Sequence, residues 1–253
     1  MPVRIGASIA AMGLLAAAAM GARALFSYRA DLLARLDLGQ TGPPPAAANP
    51  GPSADPAHSA VLFAGDSRIA SWPTPPSLSG VHIINLGRYG ETTAQLLARL
   101  DSDIVDREPR LVVLQTGIND LKAMGVFRTL SEEIAENCWL NLRRIIDRLR
   151  SRDIPVVVLT IFPVGDVRPL RYPIWSNDTL TAIAEINERL LTLDEPGVHV
   201  VDCDPILAKA GRMRGDYVVD DFHINEAAYQ ALSERITPLL DEALRNLGDG
   251  RAP

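Results

Sequence analysis

Five short runs rich in aliphatic and β-branched residues constrain this chain more than any other feature. They are AVLFA (60–64), VHIIN (81–85), LVVLQT (111–116), PVVVLTI (155–161) and VHVVD (198–202). Each is apolar almost throughout, not on alternate positions, so both faces of each strand should be covered. The segments between them carry a helical period. In 131–150, Ile134, Cys138, Leu142, Ile145 and Leu149 share one face, and Thr129 with Glu132 forms a candidate capping box at its start. In 225–247 the shared face is Ala228, Leu232, Ile236, Leu239, Ala243 and Leu247, with Asn225 as N-cap. Segments 92–106 and 177–193 behave likewise. Buried strands alternating with helices predict a parallel five-stranded sheet in an α/β fold. In such sheets chemistry gathers at the loops beyond the carboxyl ends of the strands.

The N-terminal part follows other rules. Residues 5–22, IGASIAAMGLLAAAAMGA, carry no charge and follow Arg4. The run is close to the roughly 20 apolar residues that a bilayer core requires, and Ala22-Arg23-Ala24 has a small-x-small form. Residues 1–26 therefore read as a signal peptide or membrane anchor, which predicts a protein exported to the periplasm or exterior, or held at the membrane by this segment. GQTGPPPAAANPGPSADPAH (39–58) is too rich in Pro and Gly for a helix or strand. A short polar-apolar helix-like stretch, 24–38, precedes it; residues 27–58 together are expected to be a Pro/Ala-rich linker, 59–247 the folded domain and 248–253 a flexible tail.

Composition removes several functions. A net charge of -6 argues against a nucleic-acid surface, which needs clustered basic residues. Two cysteines, Cys138 and Cys203, and histidines at 58, 82, 199 and 223 have no metal-ligand spacing, so neither a metal nor another cofactor is expected. Cys138 lies on an apolar helical stripe, and nothing in the sequence places it near Cys203.

Four polar motifs fall at strand ends. Ala64-Gly65-Asp66-Ser67 follows the first strand, and a serine at such a turn is a candidate nucleophile if a base lies beside it. Asp220-Asp221-Phe222-His223 precedes the last helix, where three-residue spacing lets Asp220 fold back on the imidazole. Asp221 is the second candidate, with a side chain expected to point away from the ring. Gly117-Ile118-Asn119-Asp120 follows the third strand, and the Asn119 amide is a candidate donor to an oxyanion. Gly87-Arg88-Tyr89-Gly90-Glu91-Thr92 follows the second, where Gly87 or Gly90 would let a bare N–H approach a substrate oxygen. Each motif alone is also ordinary turn chemistry. Together they supply nucleophile, base, orienting acid and oxyanion donors, the roles that acyl transfer needs.

The set resembles the SGNH (GDSL-like) hydrolase family, with FAGDS, NLGRYGETT, QTGIND and DDFH as its four blocks over about residues 60–245. The resemblance implies a flavodoxin-like three-layer α/β/α sandwich. It implies Ser67 as nucleophile, Asp220 and His223 as its partners, and an oxyanion hole of the Ser67 and Gly90 N–H groups with the Asn119 amide. Arg68 stands where the related GDSL signature has Leu, which predicts an altered charge beside the nucleophile. The implied activity is hydrolysis of acetyl or other acyl esters of a small molecule or glycan. Two competing readings are an acyltransferase using the same groups and a non-catalytic envelope binding protein. Residues 162–177, with Arg168, Arg171, Tyr172 and Trp175, should overhang the cleft as an acyl or sugar subsite or as a packed surface loop. Met124 and Phe127 would line the same rim or simply pack.

Overall fold

The computed structural model describes residues 3–38, 60–73 and 81–248, and of residues 3–19 and 246–248 the backbone alone. The Pro-rich stretch 39–58 and the tail from 249 lie outside the described residues. All five expected strands form: β1 (Ala60–Gly65), β2 (His82–Asn85), β3 (Leu111–Gln115), β4 (Val156–Leu159) and β5 (Val198–Val201). They pair in parallel in the order β2-β1-β3-β4-β5, the 2-1-3-4-5 order of flavodoxin-like sheets. The helices are α1 (Val3–Leu36), α2 (Ser67–Ala70), α3 (Thr93–Asp103), α4 (Ile118–Leu121), α5 (Ser131–Arg150), α6 (Asp178–Leu191), α7 (Asp204–Leu207) and α8 (Glu226–Gly248). A two-stranded antiparallel ribbon, β6 (Ala208–Lys209) with β7 (Arg212–Met213), lies between α7 and α8.

Strand side chains alternate between two covered faces. Leu62, Ala64, Val112, Leu114, Val156 and Val158 pack with α1, α3, α5 and α6. Val61, Phe63, Leu111, Val113, Val157 and Leu159 pack with α8 and with Ile69 and Trp72. The continuous apolar runs have this cause: with helices on both sides, neither parity of residue meets water. On α8 the buried stripe passes through Ile236, Leu240 and Leu244, and Leu239 is only partly buried, because a step of four from Ile236 follows the 3.6-residue turn more closely than a step of three here. Asn225 Oδ1 accepts from the Ala228 N–H at 3.1 Å, the expected N-cap bond.

Two expectations are corrected. Thr129 and Glu132 form no capping box. Residues Arg128–Leu130 make a 3₁₀ turn that runs directly into α5, whose N-cap residue Leu130 makes no side-chain bond. The box is on α3 instead, where Thr92 Oγ1 accepts from the Gln95 N–H and Gln95 Oε1 from the Thr92 N–H.

The second correction moves the domain boundary. α1 continues through residue 36, and its last turns join the fold: Leu32 and Leu36 are buried among α3 and α5 residues. Thr92 Oγ1 donates to the Arg35 carbonyl at 2.6 Å, Asn137 Nδ2 to the Leu36 carbonyl at 2.9 Å, and Arg29 stacks on Phe127. Residues 27–38 are therefore not linker. The helix-like character of 24–38 is legible in the sequence, but a single four-residue step between two leucines does not say that the stripe docks on the domain. Among the residues whose side chains are described, no helix is long and apolar enough to cross a membrane; most of the uncharged run 5–22 lies outside that set.

Candidate active site

The site forms where β1 ends. Gly65 has φ +153°, and a Cβ there would lie 1.8 Å from the Gln115 carbonyl oxygen, so only glycine lets β1 leave the sheet this close to β3. Asp66 then caps α2, its Oδ1 accepting the Arg68 N–H at 2.9 Å. This turn presents Ser67 at the first position of α2. Its Oγ lies 2.9 Å from His223 Nε2. His223 Nδ1 lies 2.9 Å from both carboxylate oxygens of Asp220. Asp220 Oδ1 also accepts the N–H groups of Phe222 (2.8 Å) and His223 (2.9 Å), so the three-residue spacing closes on itself. Burial raises the Asp220 carboxyl, but these donors and the imidazole outweigh it and hold the carboxyl at about 2. Because Nδ1 faces a carboxylate, it carries the proton, which leaves Nε2 free to accept from Ser67.

Asp221 points elsewhere. It is 1% exposed and ion-paired to Arg168 (3.0 Å) and Arg171. Arg171 also stacks on Phe222, as does Trp175. The 162–177 segment is thus a brace for the Asp220–His223 loop, with Leu170 and Tyr172 left exposed. Met124 and Phe127 are buried and pack.

Arg68 does not place its charge at the cleft surface. It is wholly buried and donates to three backbone carbonyls: Phe222 (2.9 Å), Phe162 (3.1 Å) and Pro163 (3.4 Å). It ties the serine turn to the histidine loop and to the end of β4. A buried guanidinium needs that many acceptors to offset its lost hydration.

The structure separates the two candidate glycines. Gly87 donates its N–H to Asn85 Oδ1, and a Cβ there would lie 2.3 Å from the Ala70 nitrogen, so it is a packing glycine against α2. Gly90 has φ +72°, and its N–H, like that of Ser67, has no acceptor among the described residues. Its loop is anchored by Glu91, whose carboxylate meets buried Arg99 through two 2.7 Å bonds. The Glu91 carbonyl accepts from Asn119 Nδ2 at 2.9 Å, and Asn119 Oδ1 accepts from Lys122 Nζ. Asp120 accepts the Thr93 N–H (2.9 Å) and hydroxyl (2.6 Å), tying α4 to α3; burial pushes its carboxyl up to about 7 against those two bonds.

Sequence reasoning missed Glu91–Arg99 and Lys122. The first joins a loop to a helix eight residues on, outside any helical pairing rule. The second leaves a legible trace, since Lys122 follows Asn119 by one helical turn. Cys138 and Cys203 are both free and buried, in clusters on opposite faces of the sheet. Among the described residues, no group of three or more His, Cys, Asp or Glu side chains is placed to hold a metal ion.

A doubly wound parallel sheet with Ser, His and Asp in series beyond its strand ends defines a hydrolase-type α/β protein. Residues 62–231 match the model of the GDSL-like Lipase/Acylhydrolase family, and the chain belongs to that family, whose class of reaction is hydrolysis of esters. The fold is similar to a GDSL-like lipase from Bacteroides thetaiotaomicron (19% identity, 74% of this chain and 89% of that one, TM-score 0.58). It is also similar to the lipase/acylhydrolase from Enterococcus faecalis (18%, 73% and 96%, TM-score 0.55). A third similar structure is a catalytic mutant of an acetylxylan esterase from Geobacillus stearothermophilus (16%, 71% and 93%, TM-score 0.52). No curated protein sequence matches the chain.

Proposed function

We propose that the chain hydrolyses carboxylic acyl esters through Ser67, with His223 as general base and Asp220 as its orienting carboxylate. The observation that carries this reading is the unbroken 2.9 Å series from Ser67 Oγ through the imidazole to Asp220. His223 Nε2 takes the hydroxyl proton as Oγ attacks the ester carbonyl. The tetrahedral oxyanion is met by the N–H groups of Ser67 and Gly90 and by the second Asn119 amide hydrogen. Collapse breaks the bond to the alcohol oxygen, which leaves with the proton from His223. Water then attacks the acyl-serine by the same route, giving the carboxylic acid and free Ser67. Acetyl or other short acyl groups on a glycan or small molecule are the substrates this reading favours, in line with the acetylxylan esterase among the similar structures. Export or membrane attachment is proposed on the uncharged run 5–22 alone.

The test is turnover of 4-nitrophenyl acetate by the full chain and by Ser67→Ala, with mass spectrometry of the quenched parent enzyme. Acetyl mass on the Ser67 peptide and an inactive variant are expected. A Ser67→Ala variant with parent-like turnover would sink the assignment. Product analysis with added acceptor alcohols separates hydrolysis from acyl transfer.

A further inference from the structure

Asn119 sits between two neighbours that leave its amide only one orientation. On one side is the Glu91 carbonyl, which accepts and cannot donate; it lies 2.9 Å from Nδ2. On the other is the Lys122 ammonium, which donates and cannot accept; it bonds Oδ1. A flipped amide would set nitrogen against ammonium and oxygen against carbonyl. One of the two Nδ2 hydrogens is committed to Glu91, next to the Gly90 N–H, which has no acceptor among the described residues, and the other remains for a ligand. Lys122 has no carboxylate within ion-pair distance among the described residues. A cation without such a partner, its Nζ bonded to one amide oxygen, draws electron density from that amide and strengthens its N–H donors.

We propose that Lys122 is a positioning residue for ester hydrolysis, holding the Asn119 amide in its oxyanion-donating orientation and polarising it. The inference rests on the acyl-transfer reading above. Lys122 acts through Asn119 and contacts no reacting atom. The groups facing it are Asp66 beyond β1, Arg68 on α2, Arg35 on α1 and Arg171 in the 3₁₀ turn Pro169–Ile174. α5 and α6 also pack on the 3₁₀ turn Lys122–Gly125, which Lys122 opens, and bring no carboxylate within ion-pair distance of Lys122 among the described residues. Burial lowers the Lys122 ammonium below the ordinary lysine range; the Asp66 charge opposes this and the three arginines add to it. As pH rises, the charge is therefore lost at lower pH than for an exposed lysine.

The experiment measures kcat, KM and their pH dependence on 4-nitrophenyl acetate for the full chain, Ser67→Ala, Lys122→Met and Lys122→Arg, with thermal unfolding of each. Losing a direct oxyanion donor costs about 100- to 1,000-fold in kcat, so loss of a group one step removed should cost less, about 10- to 100-fold. Lys122→Met, of similar length and uncharged, should show that fall in kcat with KM within about twofold of the parent. Lys122→Arg should recover most of kcat, and the alkaline decline of the parent should vanish, because a guanidinium does not deprotonate. Parent-like kcat in Lys122→Met overturns the proposal. So does an unchanged alkaline decline in Lys122→Arg, or a drop in melting temperature with kcat preserved, which marks a purely structural lysine. Activity in Ser67→Ala would instead remove the reading on which the proposal rests.

Discussion

From Val61 to Phe63 on β1, and from Leu111 to Leu114 on β3, every side chain is apolar and buried. A few residues further along the same two chain segments come Asp66, Ser67, Arg68, Gln115, Thr116, Asn119 and Asp120, all polar or charged and all still buried. Burying a polar group costs free energy unless hydrogen bonds replace its water. At this end the replacement is incomplete. Asp66 Oδ2, Thr116 Oγ1 and both side-chain polar atoms of Gln115 have no partner among the described residues. The middle of the sheet thus holds the fold together, and the strand ends draw on that stability to hold polar groups in fixed positions. Changes in the middle should lower stability and spare chemistry per folded molecule. Changes at the ends should do the reverse.

The largest effect should come from Ser67→Ala. Removing one member of a serine protease triad costs up to about 10⁶ in kcat, so at least about 10⁴-fold is expected here. The melting temperature should stay within a few degrees of the parent. A destabilised variant would blur the division between the two regions.

Leu62→Ala should act in the opposite way. Leu62 is wholly buried between β1 and the α1/α3 layer. A loss of about 2–5 kcal/mol is the usual range for such a truncation. Denaturant unfolding checks this, with kcat per folded molecule unchanged. A fragment beginning at Ser59 should lose stability of similar size, since it discards Leu32 and Leu36 and leaves the surface they cover open to water. A fragment beginning at residue 27 keeps both and should match the full chain; equal stability of the two fragments would return α1 to the linker.

A middle-sized effect concerns pH. Asp220, held at about 2, stays ionised through the whole range in which enzymes are assayed. The acidic limb of kcat/KM should then come from the His223 imidazole, which must be neutral to accept the Ser67 proton. The rate should fall as pH drops and the imidazole takes up a proton. A flat profile from pH 5 to 9, with a substrate that does not itself ionise, would remove His223 as base.

The smallest effect should be that of Thr92→Ala, which breaks the α3 capping box and the bond to the Arg35 carbonyl. N-cap losses cost about 0.5–2 kcal/mol. Because Thr92 lies close to Gly90 on the same loop, kcat should move by less than tenfold; a larger fall would place this cap in the positional frame of the strand ends.

The five strands, the main helices and the four polar blocks were legible because their causes are short-range. A strand buried on both faces reads as an apolar run, a helix as a period, and the bond between Asp220 and His223 closes within three residues. The tertiary structure alone decided what distant segments do to one another. It packed Gly87 on Ala70 and left the Gly90 N–H without an acceptor among the described residues, and it turned Arg68 inward to the carbonyls of Phe162, Pro163 and Phe222. It docked Leu36 on the domain and trapped the Asn119 amide between Glu91 and Lys122. Hydropathy and spacing record which residue types recur along the chain. Which acceptor a buried donor meets depends on how remote loops close over the sheet, and no local pattern carries that information.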